Sequence, residues 1–128
     1  MVNQNTNSIL DSTKKLLGVP SESDYFDTDI LTHINSVFST LKQLGVNLPS
    51  NFYVSDSTST WSDIGNPDVV PFIRSYLYLK VRMLFDTPTG GVKDAFDNQI
   101  KELEWRINSE IDIHNKELPK KDGGDDND

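Results

Sequence analysis

The chain contains no cysteine, which excludes disulfide scaffolds, cysteine-ligated zinc, thiolate nucleophiles and iron–sulfur clusters. Histidine is almost as scarce, with only His33 and His114. No run of apolar residues approaches the length of a membrane span, and the opening MVNQNTNS has neither the cationic start nor the apolar stretch of a secretory leader. The expectation is a protein made in the cytosol, with no membrane partner. Apolar residues are also in short supply. Hydrophobic side chains make up 35% of the 128 residues and aromatic ones 9%, so one modest core is affordable and partners are expected to complete the burial. Cations are outnumbered, 12 Lys and Arg against 20 Asp and Glu, for a net charge of −8. Such a chain is a poor candidate for wrapping DNA through its phosphates, because that binding needs clustered positive charge.

Catalytic signatures are missing as well. There is no Gly-Lys-Ser/Thr phosphate loop, no dinucleotide-binding glycine fingerprint and no nucleophile elbow. His33 falls beside core positions of a helical pattern, with no partner at ligand spacing, and reads as a surface or boundary residue. Asp24, Asp27 and Asp29 lack the glycine and the final glutamate of a calcium loop, so helix capping is the better reading. Thr87–Gly91 reads as a helix–helix turn. No catalytic, metal-binding or cofactor-binding residue stands out, and the chain is not read as an enzyme.

What is present is helical periodicity. The first pattern runs from Ser8, a candidate N-cap, to Leu17, with Ile9, Leu10, Thr13, Leu16 and Leu17 on one face and Gly18 closing it. The second starts at Asp27 or Thr28 as cap and repeats Ile30, Leu31, Ile34, Val37, Phe38, Leu41 and Leu44 before Gly45. The third covers about Val69 to Phe85, with Asp68 as cap and Pro71 in the first turn, where its missing N–H costs nothing. Val70, Ile73, Leu77, Val81 and Leu84 form its stripe, widened by Tyr76 and Leu79, so this helix is expected at the centre of the domain. The fourth covers about Val92 to Ile113, about 33 Å at 1.5 Å per residue, long enough to overhang a small bundle. Its apolar line is narrow (Val92, Phe96, Ile100, Leu103, Ile107, Ile111), and Asp97–Lys101 and Glu102–Arg106 are spaced as i,i+4 pairs.

Residues 46–67 separate the second and third helices. A structureless loop of that length is improbable inside a compact domain, and Phe52-Tyr53-Val54 with Thr60-Trp61 read as a short β-hairpin or an ordered loop. Tyr53 and Trp61 there suit an interface better than a core. Trp105 lies off the apolar line of the fourth helix, between Glu104 and Arg106, which suggests a second packing surface or a partner contact. The end of the chain is different again. Asp122, Asp125, Asp126 and Asp128 place half of the net charge in the last seven residues, and such a segment cannot bury enough surface to order by itself. The expected organisation is mainly α: a four-helix domain over 1–114, with the 46–67 hairpin or loop inserted, and an extended acidic arm over 115–128.

Four strings carry a resemblance. Thr13-Lys14-Lys15-Leu16-Leu17-Gly18 and Phe26-Asp27-Thr28-Asp29-Ile30-Leu31-Thr32-His33-Ile34-Asn35 resemble the opening of the head–tail connector, or adaptor, proteins of tailed bacteriophages. Tyr76 to Pro88 and Gln99 to Asn108 are similar to that family's later helices, in the same order. The resemblance implies a structural virion protein, a helical bundle repeated in a ring, twelve copies in all, between the capsid portal and the stopper or tail. DNA would pass through the lumen without specific binding, and a C-terminal arm would reach the portal. On this reading Tyr53, Trp61, Trp105 and Arg106 are candidate subunit or partner contacts. Lys116, Lys120 and Lys121 with Asp122, Asp125, Asp126 and Asp128 form the candidate portal-docking arm. The protein would act in the virion neck and assemble in the host cytoplasm. The rival reading is an acidic DNA mimic or regulatory protein-binding module, warranted by the net charge and the Asp-rich end.

Overall fold

The structure is a computed structural model, and it describes residues 7–117, with side chains to residue 113. The order of elements is α1 (Ile9–Leu17), α2 (Asp27–Gln43), a 3-10 turn at Trp61–Ile64, α3 (Val70–Phe85) and α4 (Gly90–Glu117). Among the described residues no helix is long and apolar enough to cross a membrane.

Each helix boundary has a local cause. Ser8 caps α1, its Oγ accepting from the Asp11 N–H at 3.1 Å. Gly18 ends α1 in the left-handed region (φ +79°), which lets the Val19 N–H reach back to the Lys14 carbonyl at 2.8 Å. Gly45 (φ +107°) ends the turn after α2 in the same way, with the Val46 N–H on the Leu41 carbonyl. Two expected caps are not formed. At the start of α2 the cap position is Phe26, with no side-chain bond, because the Asp27 carboxylate turns instead to Lys14. Asp68 does not cap α3 either. Val69 holds the cap position and its carbonyl receives the Phe72 and Ile73 N–H groups, with Pro71 in the first turn.

The core is a stack with α3 in the middle. Both α2 and α4 pack mainly against α3, and α1 lies against α2 and α3. Burial on α3 is accordingly wide: Ile73, Leu77 and Val81 are buried on one side, Tyr76 and Leu79 on the other. The helices alternate in direction. Phe26, before α2, meets Phe85, at the end of α3, edge to face at 5.3 Å between ring centroids. The Tyr76 hydroxyl donates to Glu104 of α4 at 2.8 Å. Burial, and then the Glu104 carboxylate, push the Tyr76 phenol well above the ordinary tyrosine range.

The apolar stripes run out where the core ends. Leu84 and Val92 sit on their expected lines but are 51% and 54% exposed, because they occupy the α3–α4 turn beyond the last covering layer. Leu16 is exposed too. The buried face near the end of α1 is centred on Leu10 and Lys14, with Leu17 packed partly against the core, which turns Leu16 outward. On α4 the acidic side chain of Asp97 pairs with Lys93 at 2.9 Å rather than with Lys101, while Glu102–Arg106 forms as spaced, at 2.7 Å. The fourth helix is also longer than its periodicity suggested, 28 residues or about 42 Å. It continues through Lys116, so the first part of the expected arm is helix. Lys120, Lys121, Asp122, Asp125, Asp126 and Asp128 lie outside the described residues.

Residues 46–67 hold no strand. A hairpin needs two extended runs paired with each other, but here the Val54 N–H and C=O go to Asn35 of α2, while Ser59 to Trp61 pair with Asn7 to Ile9. What forms is an ordered loop, tied down at three places. Thr60 pairs across to Ser8 in a single antiparallel bridge, with Ile9 N–H on Ser59 and Trp61 N–H on Asn7. The Asn35 amide, on α2, donates to the Val54 carbonyl and accepts from its N–H, both at 2.9 Å, as a neighbouring strand would. Thr60 and Asp63 close a capping box on the 3-10 turn.

Candidate protein interface

The four interface residues expected from the sequence fall in different surroundings. Trp61 is buried, at 4% exposure. Its indole N–H donates to Ser12 Oγ at 2.9 Å, and that hydroxyl donates on to the Ser8 carbonyl at 2.7 Å. The Arg74 guanidinium lies 5.0 Å from the ring centroid. Trp61 is therefore a core residue that fastens the loop to α1, and the interface assignment is corrected. Loop placement suggested exposure, but Ser8–Thr60 pairing draws this end of the loop inward.

Trp105 has the opposite environment. It is 69% exposed and, at 100° per residue, points about 150° away from the Ile100–Ile107 line that packs on α3. The same outer face carries Asp94, Asn98, Lys101, Asn108 and Asp112, all exposed. Their spacing alternates between three and four, so they form one straight polar stripe with a single large apolar side chain near its middle. A lone indole within a polar rim has the anatomy of an interface anchor.

Arg106 neighbours Trp105 in sequence but not in direction. Bonded to Glu102 through Nε and Nη2, it edges a shallow groove of about 380 Å³ where Pro71, Phe72 and Ser75 of α3 meet Gln99 and Leu103 of α4. Tyr53, 65% exposed, belongs to a different surface. It lines a groove of about 470 Å³ between the outer face of α2 and the loop. Phe38 and Phe52, edge to face at 5.0 Å, help to line this groove. Thr32, Ser36 and Ser39 supply hydroxyls, and Lys42 is the one charged residue among the described residues of the lining. Tyr53 and Trp105 thus belong to different outer surfaces, one of α2 with its loop and one of α4.

Two features escaped the sequence reading. One is the groove itself, whose walls come from two segments, residues 32–42 of α2 and 48–53 of the loop. Its helical side was legible in part, since Thr32, Ser36 and Ser39 recur at helical spacing opposite the core stripe. The other is Lys14, almost fully buried on α1. Its ammonium donates to the Ser21 and Ser23 carbonyls at 3.1 and 2.6 Å and pairs with Asp27 at 2.7 Å. Two carbonyls accept its hydrogen bonds and the Asp27 carboxylate balances its charge, which offsets the cost of burying an ammonium. Nothing local in the sequence marks that lysine as different from exposed Lys15.

Among the described residues no group of three or more His, Cys, Asp or Glu side chains is placed to hold a metal ion. The family model of the phage connector proteins matches residues 9–114, which spans all four helices. The chain belongs to that family. No curated protein and no solved structure matches it. As a connector it is a structural component of a phage particle, and its chemistry is that of contacts with neighbouring proteins. The matched span includes Tyr53, Trp61, Trp105 and Arg106 and ends before the Asp-rich terminus.

Proposed function

We propose that this connector assembles as a ring, with twelve copies as the expected number, that joins the capsid portal to the stopper or tail in the virion neck. The observation that carries the reading is Trp105: an indole 69% exposed, opposite its helix's core face, in a chain of the connector family. A single exposed ring is tolerated on a monomer, so the weight of Trp105 comes from its setting. One large aromatic inside a polar rim, in a chain of the connector family, suits an interface anchor. A ring needs head-to-tail contacts, in which one face meets a different face of the next copy. Two different outer surfaces, the Tyr53 groove and the Trp105 stripe, are available for such a contact. The negative charge suits a conduit, since phosphates are repelled rather than held, so DNA passes through the lumen without specific binding. Assembly takes place in the host cytoplasm. The arm residues Lys120, Lys121, Asp122, Asp125, Asp126 and Asp128, after Lys116 at the end of α4, are assigned to portal docking. Coupled ordering makes each such contact weak, and repetition around a ring compensates.

Mass photometry of the purified protein, alone and with portal, tests this. The expected result is a ring-sized species that forms or is enriched when portal is present. A protein that stays monomeric with portal and instead binds a nucleic-acid enzyme would favour the DNA-mimic reading. Against that alternative, half of the charge lies in the last seven residues instead of along a helix face that could imitate a phosphate backbone.

A further inference from the structure

We infer that the contact between adjacent copies seats the Trp105 face of α4 in the Tyr53 groove of α2 on the next copy, an assignment that rests on the ring reading above. Three observations lead there. The first is placement. α2 and α4 each pack mainly on α3, with Ile111 of α4 reaching the Gly45 turn after α2, and the groove and the indole each lie on the side of their helix turned away from the core. Two complementary features on different surfaces propagate from copy to copy. Placed on one surface, they would close a dimer instead.

The second is shape and chemistry. Trp105 is the large apolar projection of the outer α4 stripe, and the groove has aromatic and apolar walls from Phe38, Leu48, Pro49, Phe52 and Tyr53. Indole against phenol and phenyl edges is a favoured packing, and interface anchors tend to meet anchors. The third is charge. Lys42 is the one charged residue in the described groove lining, with no carboxylate beside it there. The Trp105 stripe carries Asp94 and Asp112 against Lys101. Its exposed amides, Asn98 and Asn108, are hydrogen-bonding partners in kind for the Thr32, Ser36 and Ser39 hydroxyls of the groove. The α3–α4 groove beside Arg106 is a weaker receptor, because its charged lining, Glu102 and Arg106, is already paired. It also lies on α4 itself, adjacent to the stripe it would have to receive.

The absence of cysteine makes a direct test available. Ser39 lines the groove and Asn108 stands one turn from Trp105, and both are exposed. Under mild oxidation of the assembled protein, the S39C/N108C double variant is expected to give a ladder of cross-linked oligomers on a non-reducing gel. Either single variant alone gives monomers, and a mixture of the two gives dimers only. Cross-linking by N108C alone means that like faces meet, and overturns the inference. So does a double variant that assembles but stays monomeric on the gel. In parallel, Trp105→Ala and Tyr53→Ala should each raise the concentration for half-assembly by about tenfold or more, with circular dichroism and melting temperature unchanged. If both variants assemble like the parent, this contact is wrong and the ring reading stands. If the parent forms no oligomer even with portal, the ring reading fails and takes this contact with it.

Discussion

The segment around Trp61 and the outer face of α4 around Trp105 each present an indole among polar residues in the sequence, and the fold treats them oppositely. At Trp61 groups from distant parts of the chain satisfy the ring, while its neighbours Ser62 and Asp63 stay exposed. Ser12 accepts its N–H, Arg74 covers its face, and backbone pairing of Asn7 and Ser8 with Ser59 to Trp61 pulls the loop end onto α1. At Trp105 the polar neighbours form a rim that stays in water, and the ring is left uncovered. The same residue type therefore serves cohesion within one copy in the first case. In the second it is free to serve cohesion between copies. The difference lies in what the rest of the chain brings opposite each ring.

Substitution should separate the two regions by their effects on melting. Trp61→Ala removes a buried ring and its hydrogen bond, with an expected cost of about 3–5 kcal/mol, and Leu77→Ala at the centre of α3 about 2–5 kcal/mol. Chemical denaturation checks both, and a Trp61→Ala protein as stable as the parent would break the contrast. Lys14→Met strips the acceptors around Ser21, Ser23 and Asp27 of their cation, and about 3 kcal/mol is expected, the lower end for breaking a buried pair because Asp27 is partly solvated.

Tyr76→Phe should cost about 1 kcal/mol at neutral pH, the usual value of one hydrogen bond. It also has a pH signature. The folded phenol holds its proton more tightly than the unfolded one, whose pKa is about 10. The stabilisation is complete below that value and is lost as pH rises from there towards the folded pKa. Relative to Tyr76→Phe, the parent should therefore lose stability above about pH 10. Equal alkaline slopes would remove the Tyr76–Glu104 link between α3 and α4.

Trp105→Ala is expected at the small end, within about 0.5 kcal/mol in stability, while assembly falls as described above. Loss of helicity in step with assembly would instead place Trp105 in a core. Arg106→Glu should weaken assembly too, though less, since Arg106 faces the α3–α4 groove. Truncation after Leu118 should leave the melting temperature unchanged and reduce capture by portal at low salt, where exposed charges are least screened. Equal capture would limit that segment to a solubilising role.

Much of this protein could be read before any fold was known. Four helices, the glycine stops at Gly18 and Gly45, the central place of α3 and the outward direction of Trp105 all follow from periodicity. The 3.6-residue repeat ties neighbouring positions to shared faces whatever lies beyond. The resemblance in Phe26 to Asn35 and Tyr76 to Pro88 likewise lies in contiguous strings, and it led to the family. What periodicity could not supply was the partner of each face. Ser12 for Trp61, Asn35 for Val54, and Ser21, Ser23 and Asp27 for Lys14 are pairings made across the fold, and none has a local signature in the chain. Where a stripe ceases to be buried, as at Leu84 and Val92, was equally invisible, because burial ends where neighbouring elements end. The sequence by itself determined which residues share a face and where helices stop, since both depend on backbone geometry over a few residues. Only the tertiary structure decided which faces meet protein and which meet water, because that depends on segments brought together from distant parts of the chain.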